Sequence, residues 1–297
     1  MKPIIQQAET KRRHPFYKIQ SLFRDSALQE VFDHKGYVVI DFLNADEIDT
    51  LNRSYSHLVG DLGNAAFAST IMSGNAEYRF AVSAVISEVF TRAVHETFRD
   101  AQFYWGNFNI KYPSGNMGTV PLHQDPSFLD ERFACPLGIW VPLIDTSEEN
   151  GALQVIPGSH TVLNQPRCGG SPFPFADQQE MLLNRFGRLL EMRAGQAYIG
   201  HPSLFHASPP NRSSTPRIVA AGLAGPDDSG LRYFGYKEME GAAFAEMFEV
   251  DHSYYVSAPL FSRPDMDRYG ILEVIPLDEP LPTQDLLLEI LGNFKGE

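Results

Sequence analysis

Residues 120–131 read VPLHQDPSFLDE, which sets a histidine and an aspartate two positions apart. Side chains i and i+2 of a strand share one face, at a Cα separation of about 6–7 Å. A ring nitrogen of His123 and a carboxylate oxygen of Asp125 can therefore close on one ion while Gln124 turns to the other face. Two histidines and one carboxylate grouped on one side of a metal leave the opposite side open, the arrangement of non-haem iron(II) oxygenases. Taken singly, the pair is equally a hydrogen-bonded strand end or a turn cap. The metal reading needs a second histidine, and His160, His201 and His206 are the candidates.

His206 opens the stretch HASPPNRSSTPR, where a strand ends, Pro, Asn and Ser turn the chain, and a second strand starts at Arg217. Antiparallel pairing across that turn brings Arg217 back alongside His206, with Ser208 on the same face as His206. An arginine one side-chain length from a metal holds a carboxylate bidentately. The spacing thus predicts a metal site with an anchor for a carboxylate ligand. His201 lies an odd number of residues from His206, on the opposite strand face, and His160 closes a PGSH turn, so both are weaker ligand candidates.

Short strands broken by turns must position these groups. Eight segments from residue 101 onward are apolar or alternating: 102–112, 119–125, 137–145, 152–158, 196–200, 203–208, 217–225 and 231–239. Eight strands are about what a jelly roll needs. An insertion near 160–194, ending in a helix over ADQQEMLLNRFGRLLEM, interrupts the series. Ahead of it, residues 25–35 have helical spacing with Gly36 as a stop, YVVIDFL (37–43) reads as a strand, and Asn44 with Glu47 forms a capping box for a helix over 45–59. A further helix covers 76–98. The expected plan is one domain over 1–297: a mostly helical part over 1–100, a jelly-roll core over 101–239, and a C-terminal segment over 240–297 with a helix around GAAFAEMFEV and an irregular tail. The fold class is mainly β with flanking α-helices around a double-stranded β-helix, the cupin-like jelly roll.

Bulk properties narrow the partners. The 297 residues carry 24 Lys and Arg against 37 Asp and Glu, a formal charge of -13. Such a surface repels phosphate backbones and anionic lipid, and the one basic cluster is Lys11-Arg12-Arg13. A small-molecule substrate is expected, with no nucleic acid and no membrane as partner. Two cysteines are too few for a disulfide framework, and with no signal-like or spanning apolar run the expected location is cytoplasmic.

HQD at 123, WVPLID at 140, ENGALQVIPGSH at 149 and HASPPNRSSTPR at 206 together resemble the phytanoyl-CoA dioxygenase family of iron(II)- and 2-oxoglutarate-dependent oxygenases. HKGYVVIDFLNADEIDTL near residue 34 is similar to that family's N-terminal entry. The resemblance implies iron(II) held by His123, Asp125 and His206, 2-oxoglutarate paired with Arg217 and Ser208, O2 as co-reactant, and Asn109 and Trp140 as further cosubstrate contacts. It also implies hydroxylation of an unactivated C–H bond with release of succinate and CO2. Related halogenases lack the carboxylate, so Asp125 favours hydroxylation, desaturation or cyclisation. Gln196 after Gly195 and Ala207 after His206 depart from the family pattern without touching a ligand.

Plainer roles stand beside these. Asn109 shares a strand face with Asn107 and Lys111, which also suits a solvated outer face, and Trp140 also suits plain core. A cupin-like metalloenzyme without 2-oxoglutarate and a non-catalytic jelly-roll binding module are the rival functions, and Arg217 discriminates against the first. Loops at 60–76, 113–119, 162–180 and from about 232 are expected to set specificity. The aromatic residues of the last, Tyr233 to Tyr255, point to a substrate with apolar surface, such as a specialised metabolite or a lipid-like acid.

Overall fold

The computed structural model describes residues 21–58, 65–163 and 165–294, so Lys11-Arg12-Arg13 lies outside the described residues. The chain runs α1 (Ser26–Lys35), β1 (Tyr37–Asp41), α2 (Ala45–His57), β2 (Phe67–Ser69), α3 (Ala76–Thr97), β3 (Ala101–Lys111), β4 (Val120–His123), β5 (Leu137–Pro142), β6 (Leu153–Val155), α4 (Gln179–Phe186), β7 (Arg188–Leu190), β8 (Gln196–Gly200), β9 (His206–Ser208) and β10 (Arg217–Pro226). It continues through β11 (Arg232–Met239), β12 (Ala242–Glu249), α5 (Tyr254–Ser257), β13 (Ile271–Pro276) and α6 (Gln284–Gly292).

The N-terminal elements form where their capping chemistry places them. Asp25 accepts from the Ala27 amide at the start of α1, and Gly36 ends that helix at φ 81, a left-handed conformation that glycine adopts without steric cost. Asn44 and Glu47 exchange the two bonds of a capping box. α3 lays Val82, Ile86 and Phe90 against the six-stranded sheet, where they join Phe108, Ile110, Ile139 and Ile199 in the largest core.

Two antiparallel sheets face each other, one ordered β1-β8-β5-β10-β3-β2 and the other β4-β9-β6-β7. This is the jelly roll, with β1 and β2 as flanking additions. The four-stranded sheet turns its outer face, including Leu122, Phe205 and Ala207, onto the insertion residues Phe175, Leu182 and Phe186 and onto Leu287 and Leu291 of α6.

Several expectations change. The helix predicted through 176–192 stops at Phe186, and Arg188–Leu190 pairs with β6 as a jelly-roll strand. The segment 231–239 lies outside the jelly roll: β11 pairs with β12, which replaces the helix expected around GAAFAEMFEV, and β12 pairs with β13 in place of an irregular tail. Glu240 (φ 53) and Gly241 (φ 80) make the tight two-residue reversal that a hairpin favours, so pairing overrides the helical propensity of the alanines and glutamates. β10 pairs with β3 and β5, never with β9. Residues 209–216 therefore cross from one sheet to the other, and Arg217 approaches His206 from the facing sheet rather than from a neighbouring strand.

Candidate active site

β4 and β9 pair directly at His123 and His206, and a register irregularity between Val120 and His123 bends the strand there. The two imidazole rings lie with centroids 4.2 Å apart. β4 ends at His123, so Asp125 stands in a loop and not on the strand as the spacing predicts. Its amide donates to the Pro202 carbonyl at 2.9 Å, which returns the carboxylate to the histidines. Asp125 Oδ1 lies 3.9 Å from His123 Nε2 and 3.8 Å from His206 Nε2. One ligand atom from each residue falls within 4.8 Å of the other two.

The histidines are oriented by the same device. His123 Nδ1 bonds the Pro121 carbonyl at 2.8 Å and His206 Nδ1 bonds the Leu204 carbonyl at 2.9 Å. A carbonyl only accepts, so each Nδ1 carries a proton, and Nε2, the nitrogen nearer Asp125, is the one left to ligate. Burial, and then the adjacent His206 imidazole, push His123 down to about 4, which keeps it neutral. The donor set fits a divalent transition metal with open positions. Gln124 donates to the Ser203 carbonyl at 2.6 Å.

Arg217 is only 2 % exposed, and one guanidinium nitrogen donates to the Gly151 carbonyl. Its Nε finds no partner, and no carboxylate pairs with it among the described residues. The Trp140 ring lies 5.2 Å from the guanidinium carbon, so Trp140 packs in the core and stacks on the cation at once. Burial pushes Arg217 down to about 10. A buried guanidinium without a counter-charge suits a carboxylate ligand.

Asn107, Asn109 and Lys111 do not form a solvated outer face. They point inward, Asn107 at 6 % and Lys111 at 0 % exposure, while Phe108 and Ile110 face α3. Lys111 Nζ donates to the Ser208 carbonyl at 2.8 Å and to that of Pro209, pinning the chain where it leaves β9. Burial and then Arg217 push this lysine down to about 7. Period-two reading of β3 carried the signal for Lys111; only its direction was missing. Arg167 gave no such signal. Its Nε donates to the Asp125 carbonyl at 2.7 Å, and its other nitrogens grip Glu131 at 2.8 and 2.5 Å. Burial alone would raise the Glu131 carboxyl, but Arg167 holds it below its ordinary range. His201, at 2.6 Å from Ser203 Oγ, and His160 lie away from the cluster.

His123, Asp125, His206, Ser208, Arg217, Asn109 and Trp140 all line one cavity of about 940 Å³. Its walls include Phe67, Ile71 and Met72 from the loop expected at 60–76, Phe173 from the insertion, and Tyr236 and Phe261 from the C-terminal segment. The loop over 113–119 contributes no lining residue among those described.

A double-stranded β-helix that gathers two imidazoles and a carboxylate inside the roll defines a cupin-type protein with a cluster able to hold a metal ion. The chain belongs to the phytanoyl-CoA dioxygenase (PhyH) family, whose model matches residues 32–219. Phytanoyl-CoA dioxygenase domain-containing protein 1 of Mus musculus is 32% identical over 107 residues, 34% of this chain and 37% of that protein. Phytanoyl-CoA dioxygenase of Arabidopsis thaliana is 32% identical over 102 residues, 34% of this chain and 36% of that one. The matched stretch thus spans little more than a third of these relatives. Among solved structures, the non-haem alpha-ketoglutarate-dependent carbocyclase SnoK from nogalamycin biosynthesis superposes with TM-score 0.50 at 16% identity, covering 70% of this chain and 85% of that one. HygX from Streptomyces hygroscopicus, with nickel, 2-oxoglutarate and hygromycin B bound, gives TM-score 0.50 at 16% identity over 69% and 88%. Both share the fold with this chain.

Proposed function

We propose that the protein is an iron(II)- and 2-oxoglutarate-dependent dioxygenase that hydroxylates an unactivated C–H bond of a small organic molecule, releasing succinate and CO2. The observation that carries this reading is the meeting, in one cavity, of a two-histidine, one-carboxylate cluster with a buried guanidinium that lacks an anion. When bound, iron(II) and 2-oxoglutarate supply the coupling of O2 reduction to oxidative decarboxylation. One oxygen atom goes to the substrate and one to succinate.

The chain's own residues bind, orient and exclude water. His123, Asp125 and His206 hold the metal through Nε2, Oδ1 and Nε2. Arg217 pairs with the distal carboxylate of 2-oxoglutarate, stiffened by the Trp140 ring beneath it and assisted by Ser208, with Asn109 beside them on β3. HygX holds nickel and 2-oxoglutarate on the same fold, which supports the assignment of both groups here. A cytoplasmic location is part of the proposal, supported by Cys135 and Cys168 being free thiols. No helix of the described residues is long and apolar enough to cross a membrane.

Anaerobic titration with iron(II) and then 2-oxoglutarate tests this directly. A visible charge-transfer band, lost in Arg217→Ala, is expected, with succinate released once a substrate is supplied. A metal-loaded protein that shows no band and forms no succinate would leave the cupin-like metalloenzyme as the better reading.

A further inference from the structure

We infer that the substrate is an uncharged, mainly apolar molecule, and that the cavity disfavours carboxylates and coenzyme A thioesters despite the family's name; the inference rests on the reading above for where the metal and cosubstrate sit. Charge placement carries it. Besides the two histidines, three charged side chains line the cavity among the described residues: Asp125, Arg217 and Arg167. The first two belong to the metal and cosubstrate end. Arg167 is already neutralised, gripping Glu131 with two nitrogens and the Asp125 carbonyl with the third.

The formal charges of iron(II), 2-oxoglutarate, Asp125 and Arg217 cancel. An anionic substrate would therefore bring an uncompensated charge into an apolar cavity, where desolvation of the ion opposes binding. The rim offers no remedy. Its exposed lining residues include Met72, Tyr236 and Phe261, and among the described residues none of the exposed ones is a lysine or arginine that could meet a phosphate.

What the wall does offer is apolar surface and neutral amides. Trp105, Phe128 and Leu260 line the part built by the C-terminal segment. Asn107 Nδ2 donates to Ser69 Oγ at 2.9 Å and to Asn109 Oδ1 at 2.8 Å, which leaves its own carbonyl oxygen as an acceptor on the cavity wall. A hydroxyl group on the substrate matches that acceptor.

Binding can be read without turnover, because both tryptophans of the chain, Trp105 and Trp140, line the cavity. Dodecanol, dodecanoate and dodecanoyl-CoA share one alkyl chain and serve as probes of tryptophan fluorescence. Dodecanol is expected to bind at least about tenfold tighter than dodecanoate, and the thioester no tighter than the acid. The Met72→Arg variant, altered at an exposed rim position, and Glu131→Gln, which frees Arg167, should each narrow the alcohol-to-acid ratio to within about threefold. An acid or thioester that binds as well as the alcohol, no response to the alcohol, or an unchanged ratio in both variants would overturn the inference. The titrations are run anaerobically with iron(II) and 2-oxoglutarate present, because in their absence Arg217 itself would take the acid. An alcohol preference there without a charge-transfer band on loading would sink the oxygenase reading alone.

Discussion

Backbone carbonyls two residues upstream, at Pro121 and Leu204, hold the Nδ1 protons of His123 and His206 and so set which nitrogen would meet a metal. His123→Ala and Asp125→Ala should each lower metal affinity by more than about 100-fold, since even supporting contacts to metal ligands are worth 10–100-fold. Metal content after purification and competition with a chelator measure this, and full retention in both variants would remove the site from these residues. Arg217→Ala should raise the 2-oxoglutarate KM by about 10–100-fold, with Arg217→Lys recovering little because an ammonium cannot form the two-pronged pair. Thermal unfolding of metal-loaded protein gives an independent reading: 2-oxoglutarate should raise the Tm of wild type and leave that of Arg217→Ala nearly unmoved.

Elements were legible where local rules govern them. α1, β1, α2 and α3 fall within two residues of their predicted ends because capping residues, Gly36 and helical spacing act over a few positions. The C-terminal hairpin was not, because a run such as AAFAEM suits a helix until β11 and β13 supply partners on both sides. Two arginines tie the C-terminal segment to the rest of the molecule. Arg132 bridges Asp130, just beyond the HQD loop, to Glu273 of β13. Arg79, 2 % exposed on α3, donates to the carbonyls of Val256, Ser257 and Ser73. Arg79→Ala should cost about 2–4 kcal/mol by leaving buried carbonyls unsatisfied. Urea unfolding would show it, and a loss below about 0.5 kcal/mol would mean that water replaces the guanidinium.

At the scale of the whole molecule, buried imidazoles tie stability to pH. Burial pushes His160 down to about 3 and His201 down to about 4, both below the ordinary histidine value. Below pH of about 6.5 the unfolded chain takes up protons that the folded chain refuses. Stability should therefore be full above that pH and fall as pH drops toward 4, by up to about 1.4 kcal/mol per pH unit for each imidazole. Urea midpoints across this range check the sign. His160→Gln should flatten the slope, and equal slopes in both proteins would remove His160 from the account. The net charge of -13 adds little here, since surface charges are screened by salt.

The residue types and spacings by themselves pointed to His123, Asp125 and His206 as a candidate ligand set, to Arg217 as a candidate carboxylate anchor, and to the alternation that makes a jelly roll. These are local, because strand periodicity and turn chemistry act over a few residues and the HQD and HASPP stretches each carry their own residue types. Tertiary structure alone decided how the pieces meet. Arg217 comes from the facing sheet, Asp125 is returned by Pro202 and Arg167, Lys111 and Asn107 turn inward, and residues beyond 232 build a wall of the cavity. Each of those depends on which strands pair across long separations, and pairing is settled by burial of whole sheet faces, which no short stretch of sequence encodes.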